Sequence, residues 1–256
     1  MNLKSIFISS LLLLFLKTFV SAQIINIEKV NCRVSAGDIE MIKKIAKFEK
    51  DLYNNLFNTH KNDSLLIKVT ILGASNYKEV QQTSSGLHKT WGFYSPQLDH
   101  SFVLRNPEYL KTVIHEMSHC LLRHNLRNPP RWLNEGIAEF CGTMLIEDDN
   151  VSFAANPYRI REVRDMALAS PIKLENLMNI SDSGWSDLDK RSNLYSISYA
   201  VVYFLIKKNP SILKRMLLLM QEGESAKNAL EFSYGGFYKF ENDFNTFYKA
   251  TLIKPM

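Results

Sequence analysis

Two histidines and three carboxylates, spaced as His115-Glu116-x-x-His119 and Glu135-x-x-x-Glu139, are the side chains in this sequence best equipped for chemistry. On a helix of 3.6 residues per turn, His115 and His119 project from one face, one above the other. Glu116 lies about 100° round the same helix, close to that face but not on it. Two neutral imidazoles can hold Zn²⁺, and the offset carboxylate can reach a water on the ion, which is the chemistry of metal-assisted hydrolysis. With this chain's own His and Glu frequencies, the H-E-x-x-H spacing arises by chance in roughly one sequence of this length in a hundred, so a third ligand has to decide the matter.

The elements around the motif supply a candidate. The helix carrying His115 is expected to run to about Leu126 and to break at Asn128-Pro129-Pro130, since proline excludes helix from the residue before it. A second helix can start at Arg131. At 1.5 Å per residue, His119 is then roughly 10 Å from the end of the first helix and Glu135 roughly 6 Å into the second. Antiparallel packing across the short turn brings the three groups level. One Zn²⁺ with ligands His115, His119 and Glu135, and one open position for water, is the expected centre. Glu139, four residues on, shares the face of Glu135 and can accept a ring N–H from a liganding histidine, fixing its tautomer. Taken singly, Glu135 and Glu139 also fit the solvated face of an ordinary helix; the histidine pair one loop upstream favours the metal.

The segment His115-Glu-Met-Ser-His119, followed by Pro130-Arg-Trp-Leu-Asn-Glu-Gly-Ile-Ala-Glu-Phe140, resembles the gluzincin zinc peptidases, and most closely a secreted peptidase-MA-like branch. The resemblance implies that Glu135, in its N-E-G segment, is the third ligand, and that Glu139 supports His115. Tyr195-Ser-Ile-Ser-Tyr-Ala-Val-Val-Tyr-Phe-Leu205 is similar to the tyrosine-led helix of the gluzincin aminopeptidases, which implies that Tyr195 stabilises the oxyanion. The likeness covers roughly residues 110–205. It does not extend to the G-x-M-E-N segment with which those aminopeptidases grip a free amino terminus.

Length and composition describe one globular domain. At 256 residues, 46% apolar and 22% charged, the chain can bury a real core and is not globally disordered. A net charge of +5 spread through helices reads as solvated faces, not as a nucleic-acid footprint. Met1 to Ala22 reads as a secretory signal peptide: Lys4, an apolar run from Ile6 to Leu16 too short to span a bilayer, and Val20-Ser21-Ala22 at the cleavage position. Lys17 interrupts the late apolar run, and an uncleaved anchor is the alternative. The mature protein is expected to be secreted or periplasmic, without a stable membrane anchor. Export permits disulfides, yet three cysteines leave one unpaired. Cys120 and Cys141 fall on the two neighbouring helices, where either a bridge or two small buried apolar residues would fit.

The expected fold class is α+β: an N-terminal lobe at about 23–126 with a small mixed sheet and a helix, the active-site helix pair, and a helical C-terminal lobe at about 127–256. Ser35 to about Phe57 has helical spacing and a capping pair, Ser35 with Asp38. Leu66 to Leu72 alternates as a half-buried strand; Trp91 to Tyr94 and Ser101 to Leu104 are shorter strands across a proline-containing turn. By the resemblance, this region docks an extended substrate along an edge strand; a plain sheet under the helix is the alternative. After Cys141 the chain reads as all helical, with helices from Asn156-Pro157, at Leu194 to Lys207, at Ser211 to Met220 and through Phe240, Phe244 and Phe247. Tyr195 would begin its helix, with Tyr199 and Tyr203 on the same face; a core tyrosine is the alternative. His60, His88, His100 and His124 read as surface residues, with His88 or His100 able to serve as a second oxyanion donor.

These parts predict an exported zinc peptidase acting on peptides or proteins, with Glu116 as general base. A catalytically inactive zinc-stabilised binding protein and a zinc amidase acting on cell-wall peptides stand as alternatives.

Overall fold

A computed structural model describes residues 24–83, 90–147 and 150–251; the expected signal peptide, Met1 to Ala22, and His88 lie outside them. The chain is α+β. Strand β1 (Ile25–Val30) leads through helix α1 (Ala36–Phe57) to β2 (Ile67–Leu72), and the two strands pair in parallel, Ile25 opposite Ile67. Ser35 caps α1 by accepting the Asp38 N–H at 3.0 Å. Helix α2 (Ala74–Thr83) follows, then β3 (Gly92–Ser95) and β4 (His100–Leu104), paired antiparallel. The sheet order is β1-β2-β4-β3, with β2 and β4 parallel, so β3 is an edge strand.

Strand β2 is more buried than its alternation suggests. Ile67, Val69 and Ile71 face the main core, and Leu72 on the other face is buried too. As a central strand, β2 is covered on its second face by α2, whose Tyr77 packs with Leu72 and Phe93. The main core lies between the sheet and two helices, α1 and α3 (Tyr109–Asn125), and continues from Ile25 to Tyr248, so both halves of the chain share it. Tyr53 of α1 ties into α3 through its hydroxyl, 2.7 Å from Ser118 Oγ.

After α3 the chain turns at Pro129-Pro130 into α4 (Arg131–Cys141). The all-helical expectation beyond Cys141 fails here. Strands β5 (Met144–Glu147) and β6 (Asn150–Phe153) pair antiparallel, and Phe153 stacks on Phe140 with ring centroids 4.6 Å apart. Helices α5 (Pro157–Ala169), α6 (Leu174–Met178), α7 (Asp182–Ser186), α8 (Leu188–Lys208), α9 (Pro210–Gln221), α10 (Ala226–Tyr234) and α11 (Phe237–Ala250) complete the fold. None of the described helices is long and apolar enough to cross a membrane.

Helix α8 starts seven positions before Tyr195, which therefore sits about two turns in and does not lead it. The Asp187 side chain caps α8 by accepting the Asp189 N–H, so the polar stretch after it is helical despite lacking apolar spacing. Helix α4 crosses α8 at Gly136, where a β-carbon would lie 2.4 Å from the Ser198 carbonyl oxygen and 3.0 Å from Val202 Cγ2. Only glycine allows that approach, and it brings the Glu135 helix against the Tyr195 helix. Gly136→Ala is accordingly expected to lower stability by about 1–3 kcal/mol through overpacking. Gly37→Ala, whose nearest neighbour would be 3.8 Å away, should leave the urea midpoint unchanged or raised. Equal midpoints for the two variants would contradict the close crossing.

Candidate metal centre

Helix α3 turns Val113, Met117 and Leu121 into the core, which leaves His115 at the rim of a cleft with His119 buried beside it. Their rings meet edge to face, with centroids 4.7 Å apart. From α4, Glu135 reaches both: its Oε2 lies 3.4 Å from His115 Nε2 and 3.6 Å from His119 Nε2. Glu135 is 7% exposed, and Oε2 is buried with no hydrogen-bond partner. A buried carboxylate oxygen without a donor is costly, and a cation held jointly with the two imidazoles would satisfy it. The three side chains thus form one of two groups among the described residues that could hold a metal ion; the other is Asp99, Cys120 and His124.

The electrostatics of the group divide the two histidines. Burial pulls the His115 pKa down, but the facing Glu135 carboxylate and the charges of Glu116 and Glu139 outweigh this and raise it to about 9. Burial lowers His119 to about 4. Burial alone would raise Glu135, yet the two histidines and Arg131 hold it down at about 2. Near neutral pH the pair therefore carries one positive charge, on His115, beside an ionised Glu135.

Glu116 is 5% exposed and sits beside the group, its Oε2 4.0 Å from His119 Nε2. Burial raises its pKa to about 7, and the backbone N–H of Tyr94 in β3 partly offsets that by donating to it. Strand β3 comes this close because of Gly92. A β-carbon there would lie 2.5 Å from Thr112 Cγ2 and 3.1 Å from Glu116 Oε1. The cleft, about 590 Å³, is bordered by Trp91 and Gly92 of the edge strand, by His115 and Glu116, and by Glu139 and Tyr195 opposite.

Glu139 lies with its Oε1 3.8 Å from His115 Nδ1, while Arg159 of α5 donates from Nε to its other oxygen at 3.1 Å. Arg159 also donates to Ser196 Oγ at 3.0 Å, so it links α4, α5 and α8 at the cleft wall. Tyr195 lines the cleft, edge-on to Trp185 at 5.9 Å, and burial keeps its hydroxyl protonated well past the usual range. Arg131 approaches Glu135 Oε1 at 3.8 Å and lies 5.1 Å over the Trp185 ring. Arg131, Arg159 and Trp185 escaped the sequence reading, because their partners are distant in sequence and no spacing announces them.

The remaining histidines and cysteines divide as follows. His60 is exposed, and His100 stacks on Phe102 with its Nε2 2.8 Å from Thr70 Oγ1 on the sheet, away from the cleft lining. Cys120 and Cys141 are free thiols and form no bridge. They face different neighbours: Cys120 donates to Asp99 of the β3–β4 turn, and Cys141 meets the buried Glu49 of α1. No family model matches the chain, and no curated protein does.

In chelator-treated protein, His115 is expected to titrate near pH 9 and His119 to stay neutral down to about pH 4. An ion needs both rings unprotonated, so ion affinity should fall as pH drops below about 9. NMR titration of the ring signals checks the order. A His115 midpoint near the ordinary value of about 6.5 would contradict it.

Proposed function

We propose that the chain is an exported, zinc-dependent peptidase of the gluzincin type. The observation that carries the reading is the bare Glu135 Oε2 held at 3.4 and 3.6 Å from two imidazole nitrogens, with Glu116 buried beside them. Ligands bonded at about 2.0–2.2 Å to a tetrahedral Zn²⁺ stand about 3.4 Å apart, so these separations suit that ion. A set of two imidazoles and one carboxylate is also the donor chemistry of catalytic zinc, which keeps its fourth position open. When bound, the ion supplies Lewis acidity, bringing the pKa of a water toward 7 and polarising a carbonyl.

The chain's own residues account for the rest. Glu116, raised to about 7, accepts the proton of the attacking water near neutral pH and passes it to the leaving amine. Tyr195, still protonated, donates its hydroxyl to the oxygen on which negative charge develops. Glu139, itself held by Arg159, faces His115 Nδ1 at 3.8 Å, which favours the tautomer that leaves Nε2 free to ligate. An extended peptide is the substrate that suits a cleft bordered by an edge strand, since β3 has one side unpaired within the sheet. The Met1 to Ala22 leader supports export.

Digestion of casein or a peptide library, with and without chelator, tests the reading; turnover that survives complete zinc removal would refute it. Glu116→Gln is expected to keep the zinc and lose roughly 10²–10⁴ of turnover. Tyr195→Phe should lower kcat by about 10²–10³ with KM little changed, because the donor acts on charge that develops only in the transition state. Wild-type activity in either variant removes that residue from the mechanism.

A further inference from the structure

We infer that the chain holds a second transition-metal site, on the far side of α3 from the first, formed by Asp99, Cys120 and His124. Cys120 and His124 are spaced i, i+4 and share a face of α3, as His115 and His119 do, but rotated round the helix by about 140°. Asp99 comes from the turn between β3 and β4. Its Oδ1 is 3.0 Å from His124 Nε2 and 3.7 Å from Cys120 Sγ, and the donor atoms of all three residues lie within 4.8 Å of one another. Imidazole, thiolate and carboxylate are the donor types that suit Zn²⁺.

The thiol and the ring N–H both aim at the same oxygen. A cation replaces those two hydrogens at the centre of the group. The thiol proton leaves to solvent, and the imidazole moves its own proton from Nε2 to Nδ1. Two negative ligands then neutralise the divalent charge, so the group goes from a net charge of −1 to neutral beside Lys61 and Lys68 of the adjoining cleft. That cleft is bordered by Asp99 and His124 and admits water as a fourth ligand. Cys120 is 2% exposed and approaches from the buried side. The Tyr94 hydroxyl donates to Asp99 Oδ1 at 2.7 Å and orients the carboxylate from outside the ligand set. An ion here would pin the β3–β4 turn to the helix that carries His115 and His119.

Metal content and Co²⁺ spectra of the full chain test this. Wild type is expected to carry two ions per chain, and its Co²⁺ form a near-ultraviolet thiolate-to-metal charge-transfer band. The His115→Ala/His119→Ala double variant should lose one ion and keep the band. Cys120→Ser should lose the band and one ion while retaining proteolysis. His124→Ala, at a half-exposed position, gives the same loss should Cys120→Ser fail to fold. A single ion with the band, surviving in the double histidine variant, would support this site while removing the metal from the proposed catalytic centre. A wild type without the band, or a band that persists in both Cys120→Ser and His124→Ala, overturns the inference and leaves the three residues a hydrogen-bonded latch.

Discussion

A carboxylate oxygen buried without a hydrogen-bond donor sets the terms for the surrounding structure. Glu135 Oε2 is in that position, and the groups around it are arranged to make an ionised carboxylate tolerable there. Arg131 approaches its other oxygen, the two imidazoles face the bare one, and Glu139 with Arg159 balances the histidine side. An unpaired buried charge costs several kcal/mol, so an arrangement of this kind persists only where a positive partner is supplied. Arg131 and the positive charge on His115 supply it. On the proposed reading, a divalent ion takes its place.

Two glycines translate this local demand into the larger fold. Gly136 lets α4 press against α8, and Gly92 lets the edge strand press against Glu116. Between them they decide how far apart the walls of the cleft stand. A side chain at either position would force apart elements that have to meet around the same carboxylates. The glycine directly after Glu135 is therefore a packing requirement of the helix crossing.

The helix pair carrying the donors was legible because everything that specifies it is local: an i, i+4 histidine pair, a double proline and a carboxylate one turn into the next helix. Helix α1 was legible for the same reason, through its cap and apolar stripe. Strand β1 was missed because its alternation is short and half polar, and becomes a strand by pairing with β2, more than thirty residues on. The β5–β6 pair was missed because four-residue strands carry too little periodicity to register. Tyr195 was placed at a helix start because apolar spacing begins only there; the capped, exposed turns before it carry no such spacing. Arg131, Arg159 and Trp185 act through contacts that only the folded chain creates.

The order in which these groups occur along the chain bears on assembly. His115, His119 and Glu135 belong to one helical hairpin, whereas Tyr195 and the α8 backbone that meets Gly136 follow some sixty residues later. Contacts close in sequence form early, and distant ones carry a larger loop-closure cost. A nascent chain can therefore gather its cation donors before the wall that supplies the hydroxyl has docked. Should the site cleave peptides, that sequence of events delays cutting until the helical half is in place, sparing the polypeptide from itself while it folds.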